Sequence, residues 1–172
     1  TSRGLADVYK RQALGGEFHA AAGLPMGATG IRLPPRPAPT IIAAAPTIDV
    51  AVVGAHLSGQ PLNPQLTGIG AKLARAVRTA PAYRLYALSG EPPRPGLVRV
   101  TSGGAAIEAE VWSVPAENFG GFVASIPAPL GIGKLQLEDG STVCGFICEP
   151  LGITGARDIT GFGGWRAYRN SL

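Results

Sequence analysis

The run IDVAVVGAHLSGQPLN, Ile48 to Asn63, decides how the rest of this chain is read. Ile48, Val50, Val52 and Val53 are β-formers at alternate and adjacent positions and predict a short buried strand. Gly54 ends it, and Gly59 follows after a polar turn that carries His56 and Ser58. Both glycines are read as supplying backbone angles that other residues reach only with strain. His56 thus falls just past a strand end, on a loop of the kind where ligands are commonly bound. Two readings of it stand: a ring that caps the turn, or a proton-transfer group beside Ser58.

Beyond that turn, Asn63 is expected to cap a helix with Pro64 in its first turn. Leu66, Ile69, Leu73 and Val77 would form the apolar stripe of this helix, and Lys72, Arg75 and Arg78 a solvated opposite face, before Pro81. Tyr83 to Leu88 alternates as a strand, and Gly90 to Pro95 is a Pro-rich loop. Leu97 to Thr101 and Ala106 to Val114 predict a hairpin across Ser102-Gly103-Gly104, with Glu108 and Glu110 outside and Ile107, Ala109 and Val111 inside. Pro115 to Ile126 reads as a short helix. Lys134 to Glu138 and Thr142 to Glu149 form a second hairpin at the Asp139-Gly140 turn, and Trp165 to Arg169 a terminal helix. Six strands and two or three helices make a small α+β domain with a curled mixed sheet or barrel.

The 172 residues include 25 Gly and 16 Pro with little charge, enough for one globular domain and an appended segment. Residues 1–47 carry five basic and two acidic side chains, and residues 48–172 carry ten and nine. With no basic stripe interleaved with aromatics, the basic balance does not point to nucleic acid. No apolar run reaches the roughly 18 residues of a membrane span, and no signal-peptide core opens the chain. A soluble, cytoplasmic protein without membrane contact is the expectation. Cys144 and Cys148, four apart on a strand, would lie about 13 Å from each other, beyond disulfide reach, so they are read as reduced thiols. No Cys/His cluster suggests zinc, and no cofactor is expected.

The stretch before Ile48 divides in three. Thr1 to Gln12 shows no period and is open to a non-native reading. Ala13 to Gly23 has helical spacing in Leu14, Phe18, Ala21 and Ala22. Ile31 to Thr47, with Pro34, Pro35, Pro37, Pro39 and Pro46, is a stiff linker. The predicted domain therefore spans residues 48–172.

Taken together, VVGAHLSGQPLN at 52–63, RTAPAYRLYAL at 78–88, RPGLVRV at 94–100, EVWSVP at 110–115, IPAPLGIG at 126–133, GFICE and FGGWRAY resemble the C-terminal domain of allophanate hydrolase. The likeness covers Ile48 to Tyr168. LGGEFHAAAGLPMGATG, Leu14 to Gly30, resembles the tail of the amidase-signature domain that precedes it in that family, so the chain reads as a fragment. The Ser-Ser-Lys machinery of the amidase is not encoded. The resemblance implies a fold similar to the γ-glutamyl cyclotransferases, whose substrate loop follows the first strand, where Gly54 to Gly59 stand here. Those enzymes also need a late carboxylate base, and Phe122 to Pro127 offers none.

By the same resemblance, the amidase domain releases ammonia from allophanate in urea catabolism, and this domain removes carbon dioxide from the product, expected to be N-carboxyurea. His56 would deliver the proton, and the N–H groups of Leu57, Ser58 and Gly59 would hold the carboxylate as a nest. Arg84 and Tyr86 either line the pocket or serve as a surface cation and a packing ring. The partners implied are that small substrate, the amidase domain and, in a homo-oligomer, a second copy of the chain. Two other functions compete: a non-catalytic domain that assembles or regulates the amidase, and a cyclotransferase-like enzyme, which requires a carboxylate within reach of the turn.

Overall fold

The computed structural model describes residues 45–172, together with Gly15, Glu17, Phe18, Ala21 and Ala22, which are helical. The expected features over residues 1–44 otherwise lie outside the described residues. The chain divides into two units, Thr1–Ala43 and Ala44–Leu172, and the second contains the fold described below.

Its elements are β1 (Thr47–Val52), α1 (Asn63–Thr67), β2 (Lys72–Arg78), β3 (Tyr83–Leu88), β4 (Arg94–Arg99), β5 (Glu108–Pro115), α2 (Ala116–Ala124), β6 (Leu130–Gln136), β7 (Thr142–Cys148), β8 (Arg157–Asp158) and α3 (Trp165–Arg169). Five strands form one sheet in the order β2-β5-β1-β7-β6, and three form another in the order β4-β3-β8. The first sheet is mixed: β1 runs antiparallel to β5 and parallel to β7. This is the α+β class with mixed sheet that the sequence predicts.

β1 is central, which explains its composition. Val50, Ala51 and Val52 are fully buried because neighbouring strands and the layers on both faces exclude water from them. Trp165 of α3, Ile159, Leu66 of α1, Phe122 of α2, and Tyr83, Leu85 and Leu97 of the smaller sheet join the same core. Burying a large apolar side chain of this kind contributes roughly 1.5–3 kcal/mol. Gly145 of β7 lets that strand approach β1, since a Cβ there would meet Ala51 O at 3.0 Å and Leu135 Cδ2 at 2.9 Å.

Two expectations are corrected. The long helix after Pro64 stops at Thr67, and Lys72–Arg78 is a strand paired with β5. Gly68 caps the helix, and Gly70, at φ +79°, turns the chain into the strand. Leu73 and Val77 satisfy a spacing of four and also a period of two, so the apolar stripe was ambiguous. Neither is fully buried, and Leu73 is 48% exposed. The predicted hairpin of Leu97–Thr101 with Ala106–Val114 is also absent. β4 pairs with β3 in the register Leu85↔Leu97, while β5 crosses to the other sheet and lies between β1 and β2. The connecting loop is no tight turn; the Arg84 side chain packs over Gly103 within it.

The hairpin of β6 and β7 and the helices α2 and α3 form where expected, with β6 beginning earlier, at Leu130. Cys144 and Cys148 are free thiols. Among the described residues no helix is long and apolar enough to cross a membrane, and no group of three or more His, Cys, Asp or Glu could hold a metal ion.

Candidate active site

The turn after β1 is fixed by its own backbone. Leu57 N–H donates to Gly54 O at 2.9 Å, Gln60 N–H to Leu57 O at 2.9 Å, and Leu62 N–H to Ala55 O at 2.8 Å. Asn63 does not cap α1; its Nδ2 donates to His56 O at 2.9 Å and ties the helix start to the turn. Gly59 has φ +78°, as the sequence reading requires, but Gly54 does not take up a left-handed conformation. Its need for glycine is steric: a Cβ there would overlap the Pro95 ring. That contact brings the start of β4 against the turn and places Arg94 beside His56.

His56 is half-buried, with its ring stacked on Phe146 of β7 at 4.9 Å between centroids and meeting Phe122 of α2 edge-on at 5.7 Å. Its Nε2–H donates to Gln65 Oε1 of α1 at 2.8 Å. With the amide oxygen facing the ring, Nε2 carries the hydrogen and Nδ1 keeps its lone pair. Burial lowers the imidazole pKa below its ordinary value; the Gln65 bond partly opposes this, and the positive charge of Arg94 adds to the lowering. The ring at neutral pH is therefore an uncharged imidazole.

A cavity of about 140 Å³ opens on this face of the ring, lined by His56, Gln65, Arg94, Phe122, Ser125 and Phe146 with Leu62, Ile126, Pro127 and Leu130. A smaller void of about 30 Å³ lies on the Gly54 and Pro95 side, again against His56 and Arg94. Arg94 Nε is buried with no hydrogen-bond partner. An unmet buried donor costs about 1–3 kcal/mol, so a ligand oxygen supplied there would be strongly favoured. The walls are aromatic and aliphatic, with one guanidinium, one imidazole and one amide. Such a site suits a small anion that is to lose its charge.

The remaining predicted site residues lie elsewhere. The side chain of Leu57 is fully buried, and its N–H is engaged by Gly54 O. The N–H and Oγ–H of Ser58 both donate to Glu110 Oε2, at 2.8 and 2.9 Å. The expected nest of three N–H groups is not what holds a carboxylate here: Ser58 alone of the three does, through one N–H and its hydroxyl, and that carboxylate belongs to the protein. Gly59 is exposed. Arg84 donates through Nε to Gly103 O at 2.9 Å and pairs with Asp158 at 3.7 Å, and Tyr86 lies opposite Gly96 and Asp158 in the smaller sheet. Neither Arg84 nor Tyr86 lines the His56 cavity.

Glu110, expected on the outside, is 5% exposed. Burial alone would push its pKa up, but Arg166, Ser58 and Trp112 donate to it and hold it below the usual carboxylate range. Arg166 of α3 bonds Glu110 Oε1 at 2.7 Å, Glu108 Oε1 at 2.6 Å and Ser58 O at 2.8 Å, which anchors the turn to the last helix. A carboxylate therefore does lie within reach of the turn, held by four donors from Ser58, Trp112 and Arg166. Sequence reasoning missed Arg94, Gln65, Phe122 and Phe146 as neighbours of His56. Two of them, Arg94 and Phe146, fall in the motifs RPGLVRV and GFICE, but nothing in those strings says which side chain faces the turn.

Three comparisons bear on this site. The profile of the family described as allophanate hydrolase C-terminal domain matches residues 48–170. The chain is 49% identical over 131 residues to urea amidolyase of Saccharomyces cerevisiae, across 73% of this chain and 7% of that protein. It is thus similar to a small part of the curated relatives it matches. Among solved structures, Kluyveromyces lactis allophanate hydrolase superposes with a TM-score of 0.71 at 47% identity, over 73% of this chain and 21% of that one. A uropathogenic E. coli-specific protein superposes with a TM-score of 0.68 at 37% identity, over 73% of this chain and 98% of that one.

Proposed function

The chain belongs to the allophanate hydrolase C-terminal domain family, and from that premise we propose that it is a decarboxylase of the product made by an amidase acting on allophanate. The observation that carries this reading is the convergence of His56 and the unpartnered Arg94 on one small, mostly apolar cavity.

Atom balance first corrects the substrate expected from sequence. N-carboxyurea, a urea with a carboxylate on one nitrogen, is allophanate itself. Hydrolytic loss of ammonia replaces its amide by a carboxylate and leaves the dianion ⁻OOC–NH–COO⁻, N-carboxycarbamate. The reaction that remains is the dianion plus one proton giving carbamate and carbon dioxide. That proton must reach nitrogen as the N–C bond breaks, and one carboxylate becomes neutral.

The side chains suit each demand. Arg94 binds one carboxylate and meets its own missing partner. The second carboxylate lies against Phe122, Phe146 and Leu130, where lost hydration favours departure as neutral carbon dioxide. Burial and the charge of Arg94 keep His56 neutral. A bound dianion offsets burial and the field of Arg94, so the ring takes a proton on entry of the substrate and passes it to the bridging nitrogen. Gln65 holds the ring in plane with that task.

The test supplies the unstable substrate in place: a separate amidase domain acts on allophanate while carbon dioxide is followed by membrane-inlet mass spectrometry. Adding this chain should accelerate carbon dioxide release beyond the buffer rate without releasing ammonia from allophanate itself. His56→Ala should lower that acceleration by about 10²-fold or more. Equal rates for wild type, variant and buffer would leave an assembly or regulatory role for the amidase as the better reading.

A further inference from the structure

A second and larger cavity, about 380 Å³, lies between the β3–β4 loop, the segment before β6, and the loop from Gly152 to Arg157. It shares Arg94 and Leu130 with both spaces against His56. Arg94 is thus a common wall, a charged side chain that borders all three. On the far side stands Arg157, held by its guanidinium over the Tyr168 ring at 5.6 Å. Against these two cations the lining offers one carboxylate, Glu91, and it is exposed. Leu88, Pro129 and Leu130 supply an apolar wall, and much of the rest is small, at Ala87, Gly90, Gly152, Gly155 and Ala156, which leaves a wide space.

We propose that this larger cavity is a second binding site, an intake compartment for small carboxylates, from which the anion passes along Arg94 into the His56 cavity. The proposal rests on the decarboxylase reading only for the identity of the natural ligand. The charge and shape suit any compact mono- or dicarboxylate. A doubly charged substrate entering an apolar, confined cavity sheds its water unfavourably, and a roomy cationic antechamber lets that loss occur in two stages. It also raises the local concentration of an intermediate that decays in water.

Malonate, which has a methylene where the proposed substrate has NH, is a stable probe. Titrated into the full chain, it should shift the backbone amide NMR signals of two sets of residues: Gly90, Gly152 and Gly155 around the larger cavity, and Ser125 and Phe146 around the smaller one. Arg157→Gln should weaken binding at the first set by about tenfold, the scale of one lost charge-assisted hydrogen bond, and leave the second set near wild type. Ala156→Phe should abolish the first set alone. His56→Ala should leave the first set intact. If the glycine signals stay still at malonate concentrations that saturate Ser125 and Phe146, or if no signal moves at all, the compartment is not an anion site. The carbon dioxide assay reads the decarboxylase proposal separately, so either can fail without the other.

Discussion

Ser58 and Glu110 are 52 residues apart, and the carboxylate of Glu110 takes both hydrogens that Ser58 offers, from its backbone N–H at 2.8 Å and its hydroxyl at 2.9 Å. Trp112 Nε1 adds a third donor to the same oxygen at 3.1 Å, and Arg166 bonds the other oxygen. The turn that presents His56 is therefore positioned from behind by a half-buried ion pair, while its front faces the cavity.

Glu110→Gln should test that support. The amide keeps the shape but returns one donor where only acceptors are useful, and it leaves Glu108 as the one carboxylate paired with Arg166. A loss of about 1–3 kcal/mol in urea unfolding at pH 7 is expected, the scale of leaving buried donors without their acceptor. The carboxylate is held below its ordinary pKa, so its contribution is fully present above about pH 4.5 and disappears as pH falls through the lower folded value. The wild-type chain should therefore lose stability steeply below pH 4.5, and the variant less steeply.

Gly54→Ala should be costly although the glycine has ordinary backbone angles. The added methyl would overlap the Pro95 ring, and β4 or the turn must move. Overpacking of this kind costs about 1–3 kcal/mol. Because Pro95 adjoins Arg94, the displacement also separates Arg94 from His56. Carbon dioxide release should fall more than the stability loss explains, which is checked by assaying well below the melting temperature of the variant.

How much of this was legible in the sequence depends on whether the signal is local. β1, β3, the β6–β7 hairpin, α2 and α3 follow from alternation, from the Asp139-Gly140 turn and from apolar runs, each within a short stretch. The pairing of β5 with β1 and β2 is not local, and a loop containing Ser102-Gly103-Gly104 looks the same whether it closes a hairpin or changes sheets. Glu110 shows the limit at the level of a single side chain. Alternation assigns a charged residue to solvent, and only Arg166, 56 positions later, makes its burial possible. His56 could be found because a glycine-flanked turn after a buried strand is itself a local pattern. Its partner Arg94 could not, since a cation beside prolines reads as an exposed loop.

The domain over residues 44–172 should fold without the preceding residues, since one core joins both sheets and the three helices. A solved protein that this domain covers to 98% of its length shows the same fold with little else attached. Limited proteolysis of the full chain should cut first within the Pro-rich stretch ahead of the domain, at residues 31–43, leaving a fragment with an unchanged melting temperature. Initial cleavage inside residues 48–172 would place the boundary elsewhere.

The pH dependence that separates His56 from Glu110 follows from the opposite chemistry of the two groups. Burial lowers the His56 pKa in the folded chain, while in the unfolded chain it returns to about 6.5. Below that value the unfolded state binds a proton that the folded state refuses, so stability is complete above about pH 6.5 and declines as pH falls toward the lower folded pKa. This window lies above the one governed by Glu110, and the two can be resolved in a single series of urea midpoints. His56→Gln removes the titrating group and should flatten the upper limb, which begins below about pH 6.5, while the lower limb stays as in wild type. The other histidine, His19, is common to both proteins and cancels in the difference. Malonate should raise the folded pKa of His56 if the dianion and the ring share the cavity. The folded and unfolded values then draw together, so the decline in that window becomes shallower in wild type, and the variant shows no such change of slope. A variant that keeps the wild-type slope in that upper window would mean that the ring is not shielded from water, and with it the burial-lowered pKa of His56 would have to be given up.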